Sequence, residues 1–271
     1  MLQEFRYAAP KSRSELLGLL AEHGAKAKVL AGGTDLLVNI RSGTIKPELV
    51  IDLKRFEDAG ALTWDPAEGL VVGPATTIND LLRDPRVRRD FPLLAVCAHD
   101  LASYQIRNRA TVIGNVVNAS PCSDMAPGLL CLGARAVVTS VRGSRSVPFT
   151  DFFTGVKKTV LAADEIVERI VVPAASVGTR GEYRKLKRIT GHDLGIVGVA
   201  VARQNGSVKI GVSSAAPVPV LVAGLKDSNT VDEAVAATLK AVSPISDIRC
   251  TKEYRLFMVE TFVRRLWEET K

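Results

Sequence analysis

Much of what catalytic sites are usually built from is missing or sparse in this 271-residue chain. Its four cysteines, Cys97, Cys122, Cys131 and Cys250, form no C-x-x-C pair. Zinc-site spacing is therefore absent, and a chain of this size does not need disulfide staples. Buried thiols in a reducing cytoplasm are the default; Cys122 and Cys131 are close enough in sequence to be weighed as cluster ligands, against that default. Three histidines, His23, His99 and His192, have no Cys or His partner at ligand spacing, so no metal site is expected. No G-x-S-x-G elbow occurs, and neither the Rossmann nor the Walker glycine spacing is present. Aromatic residues make up 5% and do not interleave with the basic clusters, which argues against a stacking platform for nucleic acid. No segment approaches the roughly 18 uninterrupted apolar residues of a membrane span. The opening Met-Leu-Gln-Glu-Phe-Arg-Tyr lacks the basic start and apolar block of a secretory signal, so a cytoplasmic location is expected. No repeat or low-complexity tract is found.

What remains is ordinary globular composition, 46% apolar and 24% charged, with length enough for two domains. The net charge is +7, concentrated around residues 83–89, 180–188 and 264–265. Solvated faces with some anion-binding residues account for it; a docking surface for an acidic partner is the alternative.

Hydrophobic periodicity and capping signals divide the chain. Ser12 with Glu15 reads as a capping box before an apolar stripe of Leu16, Leu17, Leu19 and Leu20, stopped at Gly24. A strand over 28–31 runs into Gly32-Gly33, Thr34 or Asp35 caps a helix to about Ser42, and a strand follows over 49–52. Between residues 53 and 173, β-like segments at 70–72, 136–140 and 166–172 mix with helical stretches at 78–82 and 93–103. Residues 173–180 have the composition of a boundary. Asn205-Gly206, between two alternating runs, predicts a type I′ hairpin pairing Val201 with Ile210 and Val199 with Val212 on one face. Thr230 and Glu233 form a second capping box, opening a helix toward Val242. Tyr254, Phe257, Met258, Thr261, Phe262 and Leu266 recur at helical spacing and predict a closing amphipathic helix.

Two segments stand out chemically. In Ala31-Gly-Gly-Thr-Asp-Leu36 the glycines allow a ligand close to the backbone, and successive N–H groups favour anionic oxygens; alone, the loop is as well explained by a turn with a cap. Thr111-Val-Ile-Gly-Asn-Val-Val-Asn-Ala-Ser-Pro-Cys-Ser-Asp124 sets two Asn, two Ser, a Thr and an Asp among apolar residues. Buried polar groups must be paired, so such a run suggests a polar ligand threaded against backbone. Asp124 is suited to ribose-like hydroxyls, against the simpler reading of a helix N-cap.

In order along nearly the whole chain, these segments resemble the FAD-binding medium subunit of the molybdenum hydroxylases, of the carbon monoxide dehydrogenase and xanthine dehydrogenase type. Ala31–Leu36 matches the first flavin loop, and Gln105-Ile-Arg-Asn-Arg-Ala-Thr-Val-Ile-Gly-Asn115 through Asp124 the second. Phe152-Phe-Thr-Gly155, Asp164-Glu-Ile166, Tyr183-Arg-Lys-Leu-Lys-Arg188, and Ser246-Asp-Ile-Arg249 with Tyr254-Arg255 match later landmarks. The resemblance implies an α+β fold: a two-subdomain FAD-binding domain of the vanillyl-alcohol-oxidase/PCMH type over 1–175, divided near 53/54, then a C-terminal domain over 176–271 with an antiparallel sheet and helices. It implies FAD, held by Leu30, Ala31, Gly32, Gly33, Thr34, Asp35 and Leu36 around the pyrophosphate. Ala110, Thr111, Val112, Ile113, Gly114 and Asn118 would line the second side, with Asp124 on a sugar or ribitol hydroxyl. Lys185 would sit near the isoalloxazine, with Leu101 and Val167 as apolar contacts. Where the family carries two glycines before the Asn, this chain has Ile113, whose side chain would narrow the approach to the flavin. The extra iron–sulfur loop that some relatives carry near Cys122 is not seen.

The function implied is electron transfer within an oxidoreductase. Two [2Fe–2S] clusters in a small subunit would deliver electrons from a large molybdenum-cofactor subunit to FAD here, and NAD or a quinone-type acceptor would receive them, in a dimer of heterotrimers. No catalytic acid or base is required, because the redox chemistry belongs to the cofactor. The alternatives are a free-standing FAD-dependent oxidase or reductase, and a nucleotide- or nucleic-acid-binding module using the positive charge.

Overall fold

The computed structural model describes residues 4–189 and 191–271; the first three residues of the segment read for a secretory signal lie outside them. The architecture is α+β, with three main sheets. Arg6–Ala8, Leu49–Asp52 and Ala27–Leu30 form a parallel sheet in that spatial order. Five antiparallel strands follow in the order Leu62–Asp65, Gly69–Val72, Ile166–Pro173, Arg135–Ser140, Gly143–Pro148. The C-terminal sheet is an antiparallel meander of Arg180–Leu186, Val197–Gln204, Ser207–Ser213 and Val220–Lys226. No helix among the described residues is long and apolar enough to cross a membrane.

The hairpin at Asn205-Gly206 has the expected register, Val201 opposite Ile210 and Val199 opposite Val212, with both turn residues at positive φ. Its strand Val197–Gln204 is buried on both faces, and the two faces differ in chemistry. Val197, Val199 and Val201 join a core with Met258, Phe262, Leu266 and Trp267, whereas Ala200 and Ala202 alternate onto the core of the preceding 180 or so residues, as a period of two requires. Small residues on that second face let the helices Pro92–Asp100 and Met125–Cys131 press onto the sheet. A Cβ on Gly211 would stand 2.4 Å from the Pro127 carbonyl oxygen, and one on Gly181 would stand 3.1 Å from Leu93 Cδ2. The sheet is thereby fixed against the residues that follow the second polar segment.

Several elements differ from the sequence expectation. Ser12 caps the helix Arg13–His23, but Glu15 accepts from the Lys11 N–H rather than from Ser12, so the box is shifted by one residue. The helix expected over 93–103 stops at Asp100; Ala102 has φ 47°, and Ser103 caps a separate turn of helix at Tyr104–Arg107. The closing helix Lys252–Glu269 buries Arg255, Met258, Val259, Phe262, Val263, Leu266 and Trp267, while Tyr254 and Phe257 point outward. Its buried face is rotated because an arginine, not an aromatic, occupies the first inward position.

Candidate functional site

The first glycine segment leaves the strand Ala27–Leu30 as a tight turn, with Gly33 at φ +76°, a backbone conformation that disfavours any side chain with a Cβ. Asp35 stands at the cap position of the helix Leu36–Arg41 but does not cap it. Its Oδ1 instead accepts a hydrogen bond from Asn118 Nδ2 at 2.9 Å, across 83 residues of chain. The two polar segments are therefore neighbours. A second contact is steric: a Cβ on Gly32 would lie 2.1 Å from the Arg109 carbonyl oxygen and 3.0 Å from Ala110 Cα. Only a glycine lets the first loop approach the second this closely. The N–H groups of Gly33, Thr34 and Asp35 find no acceptor among the described residues.

The second segment, matched by resemblance to a flavin loop, is partly helical. Val112–Val117 is a helical turn, with Thr111 accepting from the Gly114 N–H at 3.0 Å. Asn115 is spent internally, its Oδ1 taking the Ser123 hydroxyl at 2.7 Å and the Met125 N–H at 3.2 Å. The Ala110 carbonyl accepts from Ile78 N–H at 2.9 Å, tying the segment to the helix Ile78–Arg83. Ile113 is 5% exposed and packs into the core with Ala110 and Val112, so its side chain is a core element and Gly114, exposed, forms the open edge. Leu101 and Val167 lie in the same core; the helix Val112–Val117 packs on the strand carrying Val167.

Asp124 also stands at a helix cap position, before Met125–Cys131, without capping it. Its carboxylate faces the C-terminal sheet, where Lys185 Nζ lies 2.9 Å from Oδ2 and Tyr183 donates its hydroxyl to Oδ1 at 3.0 Å. Lys185 also reaches the Asp100 carbonyl oxygen at 3.4 Å. Burial pushes the Asp124 pKa up from the ordinary carboxylate range, and the Lys185 ammonium acts against that shift. Burial, reinforced by the facing carboxylate, raises the Tyr183 phenol well above its usual value. Each Asp124 oxygen still has a lone pair beyond the bond it makes.

The segments 30–36 and 110–118 thus meet edge to edge, with Leu30, Ala110, Thr111, Val112 and Ile113 buried beneath their exposed residues, and Asp124 forms a buried pair with Lys185 of the C-terminal sheet. Sequence reasoning did not single out Tyr183 within its motif, nor Ser214. The Ser214 hydroxyl is buried with no partner among the described residues, on a residue held at φ +66°. It lies near Lys185: a Cβ on Gly195 would meet Ser214 Oγ at 3.2 Å and Lys185 Cε at 3.3 Å. The described residues contain no cluster of His, Cys, Asp and Glu able to hold a metal, and the four thiols are free. Burial raises the Cys97 pKa well above the ordinary thiol value and the Cys131 pKa to about 12, so both are inert packing residues.

Residues 3–175 match the family model described as the FAD binding domain in molybdopterin dehydrogenase, and residues 181–270 match the CO dehydrogenase flavoprotein C-terminal domain. The chain is 33% identical over 274 residues to the carbon monoxide dehydrogenase medium chain of Hydrogenophaga pseudoflava, covering 96% of this chain and 95% of that one. It is 31% identical over 283 residues to the nicotine 6-hydroxylase medium subunit of Paenarthrobacter nicotinovorans, covering 97% and 96%. Its fold superimposes with a TM-score of 0.92 on a chain of the solved Hydrogenophaga pseudoflava carbon monoxide dehydrogenase lacking the Mo-pyranopterin moiety, at 32% identity, covering 100% of this chain and 98% of that one.

Proposed function

Because the chain belongs to the family of FAD-binding medium subunits of molybdenum hydroxylases, an oxidoreductase family, we propose that it holds FAD between its two polar segments and relays electrons through it. The donor is a small partner subunit with [2Fe–2S] clusters, fed by a large subunit with the molybdenum cofactor. The acceptor is NAD or a quinone-type molecule, and the assembly is a cytoplasmic dimer of heterotrimers. The FAD-binding domain spans 1–175, in subdomains of about 1–53 and 54–175, and the C-terminal domain spans 176–271.

The observation that carries this reading is the junction of the two loops, sealed by Gly32 against the Arg109 carbonyl and by Asp35 against Asn118. The donor set fits an elongated cofactor with an anionic middle. Free backbone N–H groups at Gly33, Thr34 and Asp35 suit diphosphate oxygens. Gly32 brings the two loops together and Gly114 forms the exposed edge of the second, with Leu30, Ala31 and Leu36 behind the first turn and Ala110, Thr111, Val112 and Ile113 buried beneath the second as its support. Asp124 offers its remaining lone pairs to a ribitol hydroxyl, beside Lys185 and the unpartnered Ser214 hydroxyl. Leu101 and Val167 back that support from the core. When bound, FAD supplies the two-electron and one-electron redox chemistry. The chain's own residues bind and orient it and exclude water from one end of the site.

The test is a visible spectrum of the purified chain. Flavin absorption bands are expected in the protein as isolated or after reconstitution with FAD, and they should be lost in the double variant Gly32→Ala, Asp124→Ala. A folded, colourless wild-type chain that cannot be reconstituted would refute the reading.

A further inference from the structure

The segment Ser246-Asp-Ile-Arg249 and the pair Tyr254-Arg255 are a strong sequence signature that the cofactor loops leave without a role. Arg255 is 1% exposed, yet it is an arginine in the core of the C-terminal region. A buried charge survives only if its donors are satisfied and an opposite charge is near. Arg255 meets both conditions. Nε donates to the Ile245 carbonyl at 3.1 Å, Nη1 to the carbonyls of Ile196 and of Ser214, the latter at 3.1 Å, and Nη2 to Asp247 Oδ1 at 2.8 Å. Asp247 is shared: Arg249 forks onto its Oδ2 through Nε at 3.0 Å and Nη2 at 2.6 Å. Arg249 holds the Asp247 carboxyl well below the usual carboxylate range, so the Arg–Asp–Arg chain stays charged across the neutral pH range.

Both ends of this chain reach the cofactor region. The remaining Arg249 nitrogen, Nη1, reaches Cys122 Sγ at 3.5 Å and the Gly195 carbonyl at 3.4 Å. Ser214, whose carbonyl Arg255 holds, donates its own N–H to the Pro121 carbonyl at 2.7 Å. Pro121 and Cys122 lie just before Asp124 in the second loop, and Gly195 lies against Lys185. One network therefore grips the chain leading to Asp124 at two adjacent residues, and the backbone beside Lys185 as well. A packing role alone would explain Arg255. It would not explain Arg249, whose free nitrogen leaves its own turn for a sulfur 127 residues away.

We propose that Asp247, Arg249 and Arg255 act as a clamp that sets the Pro121–Cys122 segment against the Gly195 backbone and so positions the Asp124–Lys185 pair toward the cofactor. These are positioning residues that touch no reacting atom, and the inference rests on the FAD reading for its functional consequence. Arg249 is the member to remove, because Arg255 still pairs with Asp247 without it.

The experiment compares wild type, Arg249→Met, Cys122→Ala and the double variant in two measurements on the full chain. In the FAD-free chain, amide hydrogen exchange across residues 119–125 should quicken about tenfold in Arg249→Met, the scale of one charge-assisted hydrogen bond, while the strand Val197–Gln204 keeps its protection. In the FAD-loaded chain, release of FAD should quicken by a similar factor. Cys122→Ala should shift both in the same direction but less, and the double variant should match Arg249→Met, because the two residues act along one path. Unchanged exchange at 119–125, a uniform quickening over the whole chain, or additive effects in the double variant would each overturn the clamp. Should wild type take up no FAD, the FAD reading fails while the exchange measurement still decides whether the clamp exists. If Arg249→Met does not fold, Arg249→Lys serves, since one ammonium cannot satisfy Asp247 and Cys122 together.

Discussion

The second polar segment is gripped on two sides, and the two grips are made of different things. Toward the first loop the junction is lean: a glycine against a carbonyl oxygen and one exposed side-chain hydrogen bond, with no buried charge. Toward the C-terminal sheet it is loaded with charge: Asp124 on Lys185 and Tyr183, then Arg249 and Arg255 behind them. The first junction is specified by shape and stays open to solvent, as the proposed diphosphate site requires. The second is specified by polarity and is closed to water. A Cβ should therefore damage the first junction, and loss of a charge should damage the second.

The largest effect is expected at Lys185, whose side chain is 2% exposed. In Lys185→Met the Asp124 carboxylate would be left buried without its cation, at a cost of about 3–5 kcal/mol at neutral pH as read by urea unfolding. The pH dependence has a definite sign. Asp124 already has a folded pKa raised above its unfolded value, so its protonated form is favoured on folding, and the associated stability is lost as pH rises through the folded pKa. Removing Lys185 raises that pKa further. The deficit of the variant should therefore shrink as pH is lowered toward the ordinary carboxylate range, and a deficit that grows on acidification would show that Asp124 is not the group left unpaired.

Gly32→Ala probes the other junction and should cost less, about 1–3 kcal/mol from overpacking against backbone that cannot step aside. A Cβ 2.1 Å from the Arg109 carbonyl oxygen must push the loops apart. FAD retention should fall by more than stability does, since the loops can separate into solvent while the core beneath them stays packed. Equal losses of the two would mean that the Gly32 contact serves the fold and not the ligand surface.

These contrasts also explain what the sequence could disclose. The hairpin at Asn205-Gly206 and the Thr230–Glu233 box are local devices, and both form as read, the latter with each side chain bonded to the other's backbone. Asp35, Asp124 and Ser12 show where local reading stops. All three precede helices and look like caps, but only Ser12 caps; the two aspartates are drawn to Asn118 and Lys185, partners 83 and 61 residues away. Polarity in the 111–124 segment signalled a paired site, but Asn115 is satisfied by Ser123 and Met125, eight and ten residues on, and Val112–Val117 is helical. The edge strand Gly143–Pro148 carries almost no apolar residues and so gave no periodic signal. Arg255 was visible as part of a motif, but its burial was not, because a helical hydrophobic stripe has no place for a buried arginine; the carbonyls it needs come from Ile196, Ser214 and Ile245, outside its own helix.

The smallest effect expected is at Asp35, and it separates the two roles that the lean junction gives one carboxylate. Asp35 Oδ1 receives the Asn118 amide, and its negative charge sits in the turn whose free N–H groups are proposed to bind the diphosphate. The first role favours FAD by holding the loops together; the second opposes it by repulsion. Asp35→Asn keeps an oxygen that can accept from Asn118 and removes the charge, so FAD should bind about two- to threefold more tightly at low ionic strength, with the gain fading as salt is added. Asp35→Ala removes both, and the lost clasp should leave FAD bound about as in wild type or slightly more weakly. Titration of the apo chain with FAD at two salt concentrations distinguishes these. If Asp35→Asn and Asp35→Ala weaken binding equally, the carboxylate itself holds the ligand and the clasp is incidental. If Asp35→Asn tightens binding at every salt concentration alike, the charge is not felt through solvent, and the first junction is less open than its geometry indicates.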